Sequence, residues 1–366
     1  MATATPVLRS LRSTAAQERT RLGWRDSFIT ILLGLWLMIG LFVDGWAHNN
    51  LSQLETFFTP WHALFYTGFM ANAAWLAWLV YREWRAGRIG IAAIPRGYHL
   101  GLLGVFIFGV GGVGDMLWHI IFGIEKNISA LLSPTHLLLF LGGSLILSSP
   151  FAAAWGAADP AEDAPSFKAF LPALGSLTLM MCFASFMNMY LWAFIRNMHT
   201  AAFEDRYMTR FPDAIEPIMA FSQSAGLEGI LITNVILLAP VLLMLRRWHP
   251  PFGSVTFMFT LNAILMCALT AFRFTTPIAI ALGVGLATDA LIRTLKPWRS
   301  GAAYRAVATG VPLLLWSLYF IQGLLDGGLA WPLELTAGIT VMAALSGLAL
   351  SLLMAPPALP AHLDSR

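Results

Sequence analysis

The chain alternates between apolar runs of about 20 residues and short polar breaks. A helix rises about 1.5 Å per residue, so roughly 20 apolar residues cross the ~30 Å hydrocarbon layer of a bilayer. Runs of that kind lie at 27–47, 61–81, 98–122, 131–154, 169–195, 217–245, 254–273, 275–295, 303–324 and 331–354. They predict an all-α polytopic transmembrane bundle of about ten helices. The seventh and eighth runs are close enough to form one re-entrant unit instead. The breaks divide the chain into a tail (1–26), a four-helix region (27–155), a Pro/Ala-rich acidic linker (156–168), a six-helix extension (169–355) and a second tail (356–366). No stretch is long and polar enough for a soluble domain.

Composition agrees with the pattern. Hydrophobic residues make up 58% and charged residues 11%, against roughly a quarter charged in soluble domains. The mean hydropathy is +0.70, so the lipid bilayer is the expected solvent. A net charge of +3 is too small to imply nucleic acid. Cys182 and Cys267 both lie in apolar runs, which argues against a disulfide framework or a thiolate site.

The basic residues set an orientation. Arg9, Arg12, Arg19, Arg21 and Arg25 precede the first run, in a tail without the apolar core of a signal peptide. Arg82, Arg85, Arg88 and Arg96, then Arg246 and Arg247, then Arg293, Lys296, Arg299 and Arg305 fall in alternate loops. The positive-inside rule places these loops and both termini in the cytoplasm, as in a multi-pass protein of the cell inner (plasma) membrane. Lys126 and the balanced charges of 196–216 lie outside. The linker departs from the rule, with Lys168 set against Asp159, Glu162 and Asp163.

One polar pattern occurs twice within this apolar chain. The first run ends in VDGWAHNN, with Asp44 and His48 four apart on one helical face. The second opens FTPWHALFY, with Pro60 and His62 in its first turn. The third ends in GDMLWHIIFG, with Asp115 and His119, and the fourth opens LSPTHLLLF, with Pro134 and His136. The two Asp residues are 71 positions apart, as an internal repeat would place them. In each copy an antiparallel hairpin returns the second His to the depth of the Asp-x3-His pair. One carboxylate and two imidazoles then converge on the outer, periplasmic side. Imidazole suits copper, zinc, iron and nickel, and the carboxylate adds charge compensation without dictating one metal. Two hairpins built alike hold two separate sites or pool their ligands into one. Read singly, each His is equally an interfacial hydrogen-bonding anchor. An Asp in a span is less ordinary, costing about 2.5–3.5 kcal/mol on insertion scales.

The stretch DGWAHNNLSQLETFFTPWHALFYTGF resembles the copper-ligating hairpin of the C subunit of particulate methane and ammonia monooxygenases. Asp44, His48, Thr59, Pro60, His62, Phe65, Tyr66 and Gly68 carry the resemblance. That family has a second set one hairpin later, with Asn as its first ligand. Asp115, His119 and His136 fall at that place, with Asp for Asn and a longer interval between the two His. The resemblance covers residues 40–140. It implies a copper-dependent membrane monooxygenase subunit, activating oxygen against a small apolar substrate. It also implies a complex with other membrane subunits and a cupredoxin-type partner, since this chain contains no such domain; a homo-oligomer is a second arrangement open to it. Two further functions stay open: a metal or small-molecule transporter, and a structural or assembly subunit without metal. Met38, Met70 and Met116 are scattered and form no ladder for copper transfer.

Other polar residues are weaker candidates. His199, near Asn188 and Asn197, is placed to join a metal site from the 196–216 loop. Gln223 and Glu228 lie early in the sixth run. Asp326 and Glu334, in QGLLDGGLAWPLEL, echo the hairpin plan without a His, and Arg273 sits between the seventh and eighth runs. His99, His249 and His362 fall away from the depth of the repeated pattern. Gly104, Gly109 and Gly112 are expected to bring the third helix tightly against a neighbour.

Overall fold

The computed structural model describes residues 19–51, 57–123, 128–157 and 165–355. Arg9, Arg12, Lys126, Asp159, Glu162, Asp163 and His362 lie outside the described residues, as do most of both expected tails and the centre of the linker. The described chain is helical throughout, and its one pairing of extended backbone is an isolated bridge between Thr200 and Leu329. Among the described residues, eight helices are long and apolar enough to cross a membrane, and a ninth crosses if a bent pair counts as one span. The protein is therefore an all-α, multi-pass membrane protein.

Two compact units divide the chain. The first joins residues 1–159 to 168–183, and the second joins 160–167 to 184–366. In the first unit, α1 (Trp24–Asn50) and α2 (Pro60–Arg85) form one hairpin. A second is formed by α3 (His99–Phe122) and α4 (Pro134–Leu147). Both hairpins are held by glycine at the crossing. A Cβ on Gly40 would lie 2.6 Å from the Phe65 Cα, and one on Gly68 would lie 2.8 Å from the Leu37 Cα. Gly104 and Gly142 do the same for α3 and α4, each meeting the other's backbone carbonyl within 2.8 Å. In lipid, where apolar side chains gain little from leaving the solvent, such close backbone approach is what joins helices. Buried Asn72 strengthens the first hairpin by donating to the Leu33 carbonyl at 2.8 Å.

The fourth expected span is broken. α4 stops at Leu147 and α5 (Ser149–Trp155) continues at an angle of 41°. Pro150, which has no amide to donate, interrupts the ladder at the bend, and Ser176 Oγ occupies the gap, donating to the Leu147 carbonyl and accepting from the Phe151 amide. Ser176 belongs to α6 (Phe167–Met187), whose residues divide between the two units. The expected span to residue 195 ends early at Met187, and a 3₁₀ turn and a four-residue helix follow.

The second unit contains α7 (Ala201–Arg210), α8 (Ile215–Arg247), α9 (Ser254–Ala268), α10 (Thr276–Leu295), α11 (Gly301–Leu325) and α12 (Leu333–Met354). α9 has 15 residues, about 22 Å of helix, which is short of a full crossing. A turn with Ala271 and Phe272 in the left-handed region separates it from α10. Buried Asp289 of α10 caps α9, accepting from the Val255 and Thr256 amides at 3.1 and 3.0 Å. Asn234 of α8 ties three helices together: it donates to the Ala343 carbonyl of α12 and accepts from Trp316 Nε1 of α11, both at 3.1 Å.

Candidate metal centre

The repeated pattern becomes one cluster at the end of the first unit's two hairpins. Asp44 and His48 occupy the last two turns of α1. His62 sits at the start of α2, where Thr59 caps the helix and Pro60 supplies a first residue that needs no amide partner. Thr59 Oγ1 accepts from the His62 amide at 3.2 Å and lies 3.0 Å from its Nδ1. The cap thus fixes the ring and leaves Nε2 to face Asp44 Oδ2 at 3.7 Å. His48 Nε2 reaches the same oxygen at 3.9 Å.

The second hairpin copies this plan atom for atom at its cap. Ser133 accepts from the His136 amide at 3.4 Å and lies 2.8 Å from its Nδ1. His136 Nε2 then approaches Asp115 Oδ1 at 3.1 Å, and His119 Nε2 approaches it at 3.4 Å without hydrogen-bond geometry. Asp115 is 1% exposed and His62 5%. Such burial of a carboxylate beside imidazoles calls for compensation by hydrogen bonds or an ion.

All six predicted residues come together. The ring centroids run in a chain: His48 to His62 at 5.7 Å, His62 to His119 at 6.1 Å, and His119 to His136 at 5.8 Å. Two groups of donor atoms lie within 4.8 Å of one another: Asp44, His48 and His62, and His62, Asp115 and His119. His62 belongs to both, so the hairpins pool their side chains. His136 joins through Asp115. Two buried atoms of the cluster, Asp44 Oδ1 and His119 Nε2, have no hydrogen-bond partner among the described residues. Orphaned acceptors in a buried site, together with mixed carboxylate and imidazole donors, fit a divalent or redox-active transition metal.

Several partners went unread in the sequence. Tyr66 Oη donates to Asp115 Oδ2 at 2.8 Å, and Thr135 Oγ1 donates to Oδ1 at 3.4 Å. Phe57 stacks on His62 at 4.9 Å. The hydroxyl ahead of each Pro-x-His was legible as a cap; Tyr66 and Phe57 depend on packing. Beside the cluster, a cavity of about 670 Å³ opens between α2 and α3, with His62, Tyr66, Phe69, Met70, Gly112 and Met116 among its walls. Gly104 packs helices as expected. Gly112 borders the cavity and also packs tightly on the Tyr66 ring of α2, Gly109 lines the cavity without a tight contact, and Gly111 adds a close approach to Leu138 and Leu139 of α4.

The weaker candidates lie elsewhere. His199 is fully buried in the second unit against Tyr319, Phe320 and Trp331, with centroids 4.1, 5.4 and 6.1 Å away. Glu228, Arg273 and Glu334 are exposed, and Asp326 accepts from Gln322 of its own helix. His249 stacks on Trp298. No family model, curated protein or solved structure matches this chain.

Proposed function

We propose that the chain is a copper-binding membrane protein of the monooxygenase C-subunit type, with its metal centre built by the ends of two helical hairpins. The observation that carries this reading is the convergence of Asp44, His48 and His62 with Asp115, His119 and His136 around unpartnered buried atoms. Copper is preferred over zinc and iron because the Asp-x3-His and Thr-Pro-x-His motifs resemble that family's copper hairpin. The Thr59 cap hydroxyl holds the far nitrogen of His62, as a ligating histidine requires, and Ser133 holds His136 in the same way. Copper bound there would supply one-electron redox chemistry. The chain's own residues would orient the donors and exclude water, and the adjacent apolar cavity would receive a small apolar substrate. The centre faces the periplasm in this reading, since Arg82, Arg85 and Arg88 gather at the far end of α2 from His62. Electrons and oxygen chemistry would need other membrane subunits and a cupredoxin-type partner.

The test is metal content of detergent-purified protein by mass spectrometry after copper, zinc and iron loading. Wild type should retain stoichiometric copper, and the His48→Ala/His62→Ala pair should lose it. Absence of stoichiometric metal from wild type would sink the reading. Copper uptake into sealed vesicles would move the function from catalysis to transport.

A further inference from the structure

The two carboxylates of the cluster differ in what already surrounds them. Asp44 Oδ1 is buried and has no hydrogen-bond partner among the described residues. Its Oδ2 stands 3.7 and 3.9 Å from two imidazole Nε2 atoms, too far for hydrogen bonds. Donors about 2.0–2.2 Å from a shared ion stand roughly 3–3.6 Å apart. The two carboxylate–imidazole separations are thus slightly longer than those of donors on a shared ion, and all three donors lie within 4.8 Å of one another.

Asp115 is committed to protein partners. Tyr66 Oη donates to one oxygen at 2.8 Å. The other oxygen takes Thr135 Oγ1 at 3.4 Å and faces His136 Nε2 at 3.1 Å. A carboxylate has about four acceptor positions, so little of Asp115 is left for an ion. His136 is held at both nitrogens, by Asp115 and by Ser133. The donor atoms of His62, Asp115 and His119 also lie within 4.8 Å of one another, but the Asp115 oxygens already hold Tyr66, Thr135 and His136. Gly112 makes room for Tyr66: a Cβ there would meet its ring at 2.8 Å, so a glycine on α3 lets the phenol lie against Asp115.

We infer that the centre holds one ion, on Asp44, His48 and His62, and that Asp115 is an outer carboxylate set in place by Tyr66, the positioning residue between the centre and the cavity. This rests on the metal reading above and assigns unequal roles to the two hairpins. Asp115 orients His136 and lies 3.4 Å from His119 Nε2, so the second hairpin forms the polar wall of a site whose ligands come from the first. Tyr66 is the group through which the cavity side of the wall adjoins that network.

The experiment is copper(II) titration of the full-length protein in detergent, read by metal content and electron paramagnetic resonance. Wild type, Asp44→Asn, Asp115→Asn and Tyr66→Phe are compared. Wild type should hold one magnetically isolated copper(II). Asp44→Asn should lose it. Asp115→Asn and Tyr66→Phe should keep one ion, bound about 10-fold or more weakly, with shifted spectral parameters, as loss of an outer-shell hydrogen bond does. Tyr66→Phe keeps the ring, so it reports on the hydroxyl if Asp115→Asn fails to fold. Two coupled coppers in wild type, one of them lost in Asp115→Asn, would overturn the inference and leave the metal reading standing. An unchanged affinity and spectrum in Tyr66→Phe would remove its positioning role. No copper in wild type would overturn both.

Discussion

Thr59 shows how a single hydroxyl serves structure and site together. It caps α2 and holds His62 Nδ1. Thr59→Val should therefore cost about 1 kcal/mol through the lost cap. It should also weaken copper binding roughly 10- to 100-fold through the freed imidazole. Thermal melts and copper titrations separate the two effects, and a change in melting alone would confine Thr59 to capping. His199 is a residue of another kind. Burial draws its pKa down from 6.5 to about 4, offset only in part by the Tyr319 backbone and Asp326. The folded side chain is then neutral where the unfolded one takes up a proton. Its contribution is whole above pH 6.5 and is lost as pH falls toward 4, about 3 kcal/mol in all. Melting of wild type should drop between pH 7 and 4.5 more steeply than melting of His199→Phe; equal slopes would refute the assignment.

At the scale of elements, the hairpins matter more than the helices. α1 and α2 approach until Gly40 touches the Phe65 backbone and Gly68 the Leu37 backbone. A methyl at either place has no flexible side chain to displace, so the helices must separate. Gly40→Ala should destabilise the protein by about 1–3 kcal/mol, as overpacking does. It should also loosen the Asp44–His62 spacing, lowering copper affinity without touching a ligand. Detergent unfolding with a parallel copper titration checks this, and wild-type values in both would show that the hairpin yields. The break between α4 and α5 has a comparable local cause. Pro150 interrupts the ladder, and Ser176 enters from 29 residues beyond Leu147 and takes the donor and acceptor for itself.

For the whole molecule, the hydropathy pattern alone supplied the class and nearly every helix position, because a bilayer demands about 20 apolar residues per crossing wherever they occur. The clustering of the six Asp and His residues of the two hairpins was legible for a related reason. Asp-x3-His is one helical turn, a hydroxyl before Pro is a helix start, and an antiparallel return brings both to one depth; all three are local rules. Local rules reach no further than a hairpin. That His62 belongs to both donor groups, that Tyr66 finds Asp115 across 49 residues, and that Gly109 borders a cavity rather than a tight helix contact were decided by how α2 packs on α3. The same holds for the shortened α9, where a turn sets the outcome, and for the bent fourth span, where a distant serine fills the gap at Pro150. An apolar face is equally apolar toward lipid, a neighbouring helix or an empty cleft, so its partner is chosen only when close backbone approach and buried hydrogen bonds are satisfied in three dimensions.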